Sequence, residues 1–416
     1  MNTLRLVSRA ALVFGLAVPA VPLPAQTIAI TGGTVYPVSG PKLVNATIVI
    51  EAGRIKAIGA NVPVPAGATR VDATGKWITP GLIHANANAG LGVAGLNGQQ
   101  EGGVQGEVNP SFNPAEGIDP AALTVPIART GGITGGLLLP GGAFFPGQVP
   151  AVNFAGDRMD DMLVKKTAAL VLDLSDNSKG AGGGSRAGTM SRIRRLFNDA
   201  QEYARRRPEF LKGNIQPLSA PAGELEALLP MLRGEEPLAI VANRRIDMAN
   251  ALRLKQEFKL HIVIYGAVEG WQMAKELAAA AVPVIIEPNR DIPSFDGLGA
   301  RLDNGTLLRE GGVEVIIAQG DPGGERNLRY AAGNAVRNGM SWDDALKAIT
   351  QNPATAFGLS DYGTLERGKV ANLVVWSGDP FEFSSTAEKV YIRGVETSLR
   401  TRETELRDKY RKLPPN

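Results

Sequence analysis

Apolar and polar positions follow two rhythms along this chain. From Thr27 to Val71, short β-rich runs (TIAITGGTVYPV, ATIVIEAGRIKAIG, RVDATG) are broken by Gly and Pro and read as hairpins. A second β-rich patch, ANLVVWSGD and KVYIRGVETS, comes near the far end. Between the two patches, apolar runs (GLIHANANA, GITGGLLLP, AALVLDLS, PLAIVAN, HIVIYG, VPVIIEP, VEVIIAQGD) alternate with segments of helical period such as MSRIRRLFNDAQEYARRR and NLRYAAGNAVRNG. Strands alternating with helices predict parallel βα units, and about 280 residues of them suit an α/β protein built on a (β/α)8 barrel.

The stretch WITPGLIHANANAGL, Trp77 to Leu91, turns at Pro80-Gly81 and then alternates. Read as one strand, it puts His84, Asn86 and Asn88 on a single face, with His84 about 6.6 Å below Asn86 as a pocket-floor residue of structural character.

Composition narrows the chemistry. The chain has no cysteine, which excludes disulfides, thiolate catalysis and thiolate metal sites. Its two histidines, His84 and His261, cannot make a multi-histidine metal centre. His261 falls about 13 Å below the active end of its strand and reads as structural. Met1 to Ala25 has Arg5 and Arg9, an apolar stretch and a small residue at Ala25, the pattern of a secretory signal. Pro19, Pro22 and Pro24 interrupt it as a membrane span. The expected mature protein is periplasmic or secreted and off the membrane. Removing the two arginines takes the formal charge from +3 to +1, so nucleic acid is not an expected partner.

Five stretches carry a family resemblance: the PGLI turn, NPSFNPAEGIDP, LLLPGGAFFPGQVPAV, GWQMAKELAAAAVPVII and DALKAITQNPATAFGL. With GTLERGKVANLVVWSGDP from Gly363, the mature chain resembles the metal-dependent amidohydrolase superfamily, and within it the exported imidazolonepropionase-like proteins. The resemblance implies a TIM-like barrel over residues 80–359. It also implies a small discontinuous β-sandwich from residues 26–79 and 360–398, followed by a charged helical tail over 399–416.

It further implies where the chemistry should be, and there this chain departs from the pattern. Asn86 and Asn88 stand where two histidine ligands are usual, Asn243 in place of the third and Tyr265 in place of the fourth. Zinc takes imidazole through a neutral nitrogen lone pair, whereas a carboxamide offers a weakly basic oxygen and an NH2 that repels cations. Lys179 does not match the bridging lysine that some relatives use. Asp321, in VIIAQGDPGG, matches the family's aspartate after the last strand, a metal ligand and proton shuttle.

The family norm is one or two divalent metals such as zinc, and none is expected here. The expected role is a non-catalytic binding or assembly subunit, either a homo-oligomer or a partner of an intact homologue, with a small molecule as possible ligand. The alternative is a hydrolase of non-peptide C–N bonds working through Asp321 and a weakly bound cation. The glycine-rich GAGGGSRAGT lacks a P-loop ending, and the arginines of residues 192–207 read as a solvated helix face.

Overall fold

The computed structural model describes residues 27–92, 102–104, 106–214, 216–289, 294–320 and 324–411. The proposed signal, residues 1–25, and Asp321 lie outside the described residues.

Strands β1 (Ile28–Val35), β2 (Leu43–Glu51), β3 (Arg54–Gly59), β4 (Thr69–Asp72) and β5 (Trp77–Pro80) come first. The barrel strands follow: β6 (Leu82–His84), β7 (Ile133–Leu137), β8 (Gly147–Asn153), β9 (Leu163–Asp173), β10 (Leu238–Ala242), β11 (Ile262–Gly266), β12 (Val284–Ile286) and β13 (Val315–Ile317). The chain then returns through β14 (Leu373–Trp376), β15 (Ala387–Ile392) and β16 (Val395–Thr397).

Strands from the two ends of the chain join as expected, in one sheet of order β16-β15-β14-β5-β1-β2-β3 with β4 on β1. The seam is the antiparallel pairing of β14 with β5, which sets Trp376 against Trp77 and Leu373 against Pro80. One residue later the chain has entered the barrel, and the Gly81 N–H donates to the Asn372 carbonyl at 2.9 Å.

The second sheet runs β13-β12-β11-β10-β9-β8-β7-β6, a nearly closed, TIM-like barrel. One stave differs from the expected eight parallel strands. β8 pairs antiparallel with both β7 and β9, so the LLLPGGAFFPGQVP stretch is a hairpin and no helix intervenes. At the seam between β13 and β6, the Ile83 N–H donates to the carbonyl of Ile349, at the end of the helix Trp342–Ala348.

Strand alternation sorts side chains into two layers. Ala239, Val263, Ile285 and Ile316 share the barrel interior. Leu238, Ile240, Ile262, Ile264 and Ile317 face the surrounding helices, such as Arg186–Leu211. The tail forms a helix over Arg402–Tyr410, capped by Thr401, whose hydroxyl accepts the Thr404 N–H. Among the described residues, no helix is long and apolar enough to cross a membrane.

Candidate functional site at the barrel mouth

Continuing the alternation past each strand's last interior residue locates the site. Interior positions on β9 (Ala169, Val171) lead to Asp173, those on β10 (Ala239, Val241) to Asn243, and Val263 on β11 leads to Tyr265. On β12, Ile285 leads to Glu287. All of these are at the C-terminal ends of their strands, where barrel enzymes keep their chemistry.

The strand β6 is shorter than its sequence suggests. It ends at His84, and Ala85-Asn86 turn. Leu82 packs with the outer layer and Ile83 with the interior, so His84 follows Leu82 outward. The turn then brings Asn86 and Asn88 to the mouth. A single face shared by His84, Asn86 and Asn88 is therefore replaced by two, and His84 is fully buried beneath the turn rather than lining the cavity.

His84 Nδ1 accepts the Asn86 N–H at 3.1 Å. Its Nε2 faces the Gln319 main chain without completing a hydrogen bond of good geometry. Burial disfavours the charged ring and lowers its pKa from 6.5 to about 4. Because the native value lies below the unfolded one, His84 contributes stability that is complete above pH 6.5 and is lost as pH falls toward 4. Between pH 7 and 4.5 that loss should be about 2 to 3 kcal/mol. Denaturant unfolding of the native chain and of His84→Asn, whose amide oxygen can replace Nδ1, checks this. Identical pH dependence in the two proteins would remove His84 as the cause.

Across the mouth, Asn86 Nδ2 donates to Tyr265 Oη at 2.8 Å, and the Tyr265 hydroxyl donates to Glu287 Oε1. Asn88 is fixed through its backbone, whose N–H donates to Glu325 Oε1 at 2.9 Å. Glu325 is 2% exposed, and burial pushes its pKa up against the backbone N–H groups that favour the ionised form. Asn243 turns away from this group and donates from Nδ2 to Asp296 Oδ2 at 3.3 Å. Its Oδ1 presses on Gly266, where an added Cβ would come within 2.1 Å at a φ of +97°. The mouth thus joins Asn86, Asn88 and Tyr265 around one cavity, while Asn243 lines a separate, smaller one with Glu287 and Arg301.

Asp173, Glu287, Asp296 and Glu325 were not among the sequence candidates. For two of them a signal existed, since AALVLDLS and VPVIIEP each carry an acid, Asp173 and Glu287, in phase with the interior positions before it. Asp173 is 4% exposed. Burial raises its pKa, hydrogen bonds from Ser175 oppose this, and the nearby Asp296 and Asp247 carboxylates raise it further. His261 is exposed just before β11, at the far end of the barrel, and Lys179 pairs with Asp176 at 2.7 Å on the surface.

This donor set does not fit the family's divalent metal. The Asn86 NH2 points at Tyr265, the Tyr265 proton at Glu287 and the Asn243 NH2 at Asp296. Among the described residues, no three carboxylates or imidazoles converge as a metal site.

Comparison with known proteins agrees with this architecture. A profile of the amidohydrolase family matches residues 325–397. The chain is 22% identical over 384 residues to the amidohydrolase tasK of Hapsidospora irregularis, a match covering 83% of this chain and 39% of that relative. It is 37% identical over 70 residues to a 5-methylthioadenosine/S-adenosylhomocysteine deaminase of Symbiobacterium thermophilum, covering 16% of each. The chain thus spans well under half the length of either curated relative. The crystal structure of an amidohydrolase from Thermotoga maritima MSB8 superposes with a TM-score of 0.81 at 28% identity, over 90% of this chain and 100% of that one. A barrel opening beside a sheet built from both chain ends, matched over its length by such a structure, places this chain in the amidohydrolase superfamily.

Proposed function

We propose that this chain is a non-catalytic member of its superfamily, a small-molecule-binding or assembly subunit that does not carry out metal-dependent hydrolysis. The observation that supports it is the hydrogen-bonded series from Asn86 through Tyr265 to Glu287, which crosses the mouth and engages two of the four substituted positions. A phenol ring there occupies space that a metal and its water would need. Fold alone argues for a hydrolase, and function follows the site.

In the same reading the chain is exported, cleaved after Ala25, and acts in the periplasm or outside the cell. Its partner is a second copy or an intact homologue, held through a specific interface of more than about 1,000 Å².

Elemental analysis of the purified mature protein tests the proposal. The expected content is far below one equivalent of zinc, manganese, iron or nickel. Stoichiometric metal that disappears on mutating Asn86 or Asp321 would overturn the reading in favour of hydrolysis.

A further inference from the structure

The mouth cavity, about 270 Å³, has an uneven lining. Leu139, Pro140, Pro146, Val171 and Val241 give it an apolar side, and Asn86, Asn88, Tyr265 and the backbone of the surrounding glycines make the rest of the lining polar. Among the described residues, Asp173 is the single formally charged side chain on it. Its Oδ1 accepts the Ser175 N–H at 2.7 Å. The neighbouring Arg186 is bound instead to Asp247 and Asp176, so Asp173 has no ion-pair partner among the described residues. A buried carboxyl without a cation is costly, and a positive group brought to it forms a charge-assisted hydrogen bond stronger than a neutral one.

The shape and charge of this cup select among ligands. An anion would meet Asp173, and the field of Asp296 and Asp247 behind it, as repulsion. A hard metal ion takes six or more oxygen ligands and enough negative charge to hold it, and among the described lining residues Asp173 supplies the one carboxylate. The volume, below the usual range for drug-sized sites, admits a compact body of about one ring.

We infer that the barrel mouth takes a small amphipathic amine, its protonated nitrogen on the Asp173 carboxylate and its apolar body against Leu139, Pro146, Val171 and Val241. This rests on the binding reading above and gives it a ligand class. Asn86, Asn88 and Tyr265 line the same cavity as Asp173 and bring neutral polar groups to it.

The test compares benzylamine with benzyl alcohol, an uncharged molecule of nearly the same shape. Titration calorimetry on the mature chain at neutral pH gives affinities, and methyl resonances of Leu139, Val171 and Val241 report position. Benzylamine should bind at least tenfold more tightly than the alcohol, and both should shift those methyls. In Asp173→Asn, whose amide oxygen can still accept the Ser175 N–H, the preference should fall below threefold. Equal affinities in the native chain, or a preference that survives Asp173→Asn, would overturn the amine assignment while alcohol binding at the mouth left the binding reading intact. Failure of both probes to move the methyls would count against both. Should Asp173→Asn not fold, the native chain decides. A charge preference with shifts at Val171 supports the assignment, and one with shifts elsewhere overturns it.

Discussion

Replacing Trp376 with alanine is expected to destabilise the protein by about 3 to 5 kcal/mol, the range for removing a fully buried tryptophan. Trp376 has no exposed surface, and its Nε1 donates to Thr79 Oγ1 at 2.9 Å across the pairing of β14 with β5. The far edge of the ring reaches the barrel. A Cβ built on Gly132, just before β7, would come within 2.3 Å of ring atom Cη2, and Gly132 has a φ of +78°, so only glycine suits the backbone and the contact together. On another side the Arg329 guanidinium lies 5.7 Å from the ring centroid and donates to the carbonyls of Pro380, Glu382 and Ser385. One side chain therefore packs the composite sheet against the barrel. Denaturant unfolding followed by tryptophan fluorescence and circular dichroism should show one transition in the native chain, moved to lower denaturant in the variant. A loss under about 1 kcal/mol, or a separate sheet transition with the barrel unaffected, would show that the two parts do not share this core.

Restoring histidine at Asn86, Asn88, Asn243 and Tyr265 together is expected to leave the protein below one equivalent of metal and less stable by more than about 2 kcal/mol. The reason is that the surroundings of these positions differ from a site that has merely lost its ligands. Replacing Tyr265 removes its hydroxyl donation to Glu287 and the bond it accepts from Asn86. At position 243 an imidazole must fit where the smaller Asn oxygen already presses on the Gly266 backbone, and it forfeits the bond to Asp296. Metal analysis with thermal melts of the quadruple variant decides the matter. A folded variant carrying stoichiometric zinc would show a sound cavity from which only the ligands had been lost.

Part of this site was legible before any coordinates. That the chain cannot form a multi-histidine metal centre follows from there being only His84 and His261 in it. That Tyr265 faces the cavity follows from its phase with Val263. Alternation holds only as far as the strand does. Continued through Asn88, it put His84 inward, whereas β6 stops at His84 and a turn resets the phase. A hydrophobic run does not reveal where backbone pairing ends, because pairing with β7 determines that.

By itself, then, the sequence determined what depends on near neighbours along the chain: the strands and their two faces, the helices between them, and the residue types at each strand end. The meeting of the two terminal segments was readable through resemblance. Tertiary structure alone decided which strand ends touch. Asn86 and Tyr265 are 179 positions apart, and Asn88 and Glu325 are 237 apart. It also decided that β8 runs against its neighbours, since GQVPAVN alternates the same way in either direction. Period-two alternation is a property of local backbone geometry, whereas strand direction, register and partner are set by closure of the sheet. The mouth is made of those partnerships, so its hydrogen bonds and the placing of Asp173 on its wall emerged only when the barrel closed.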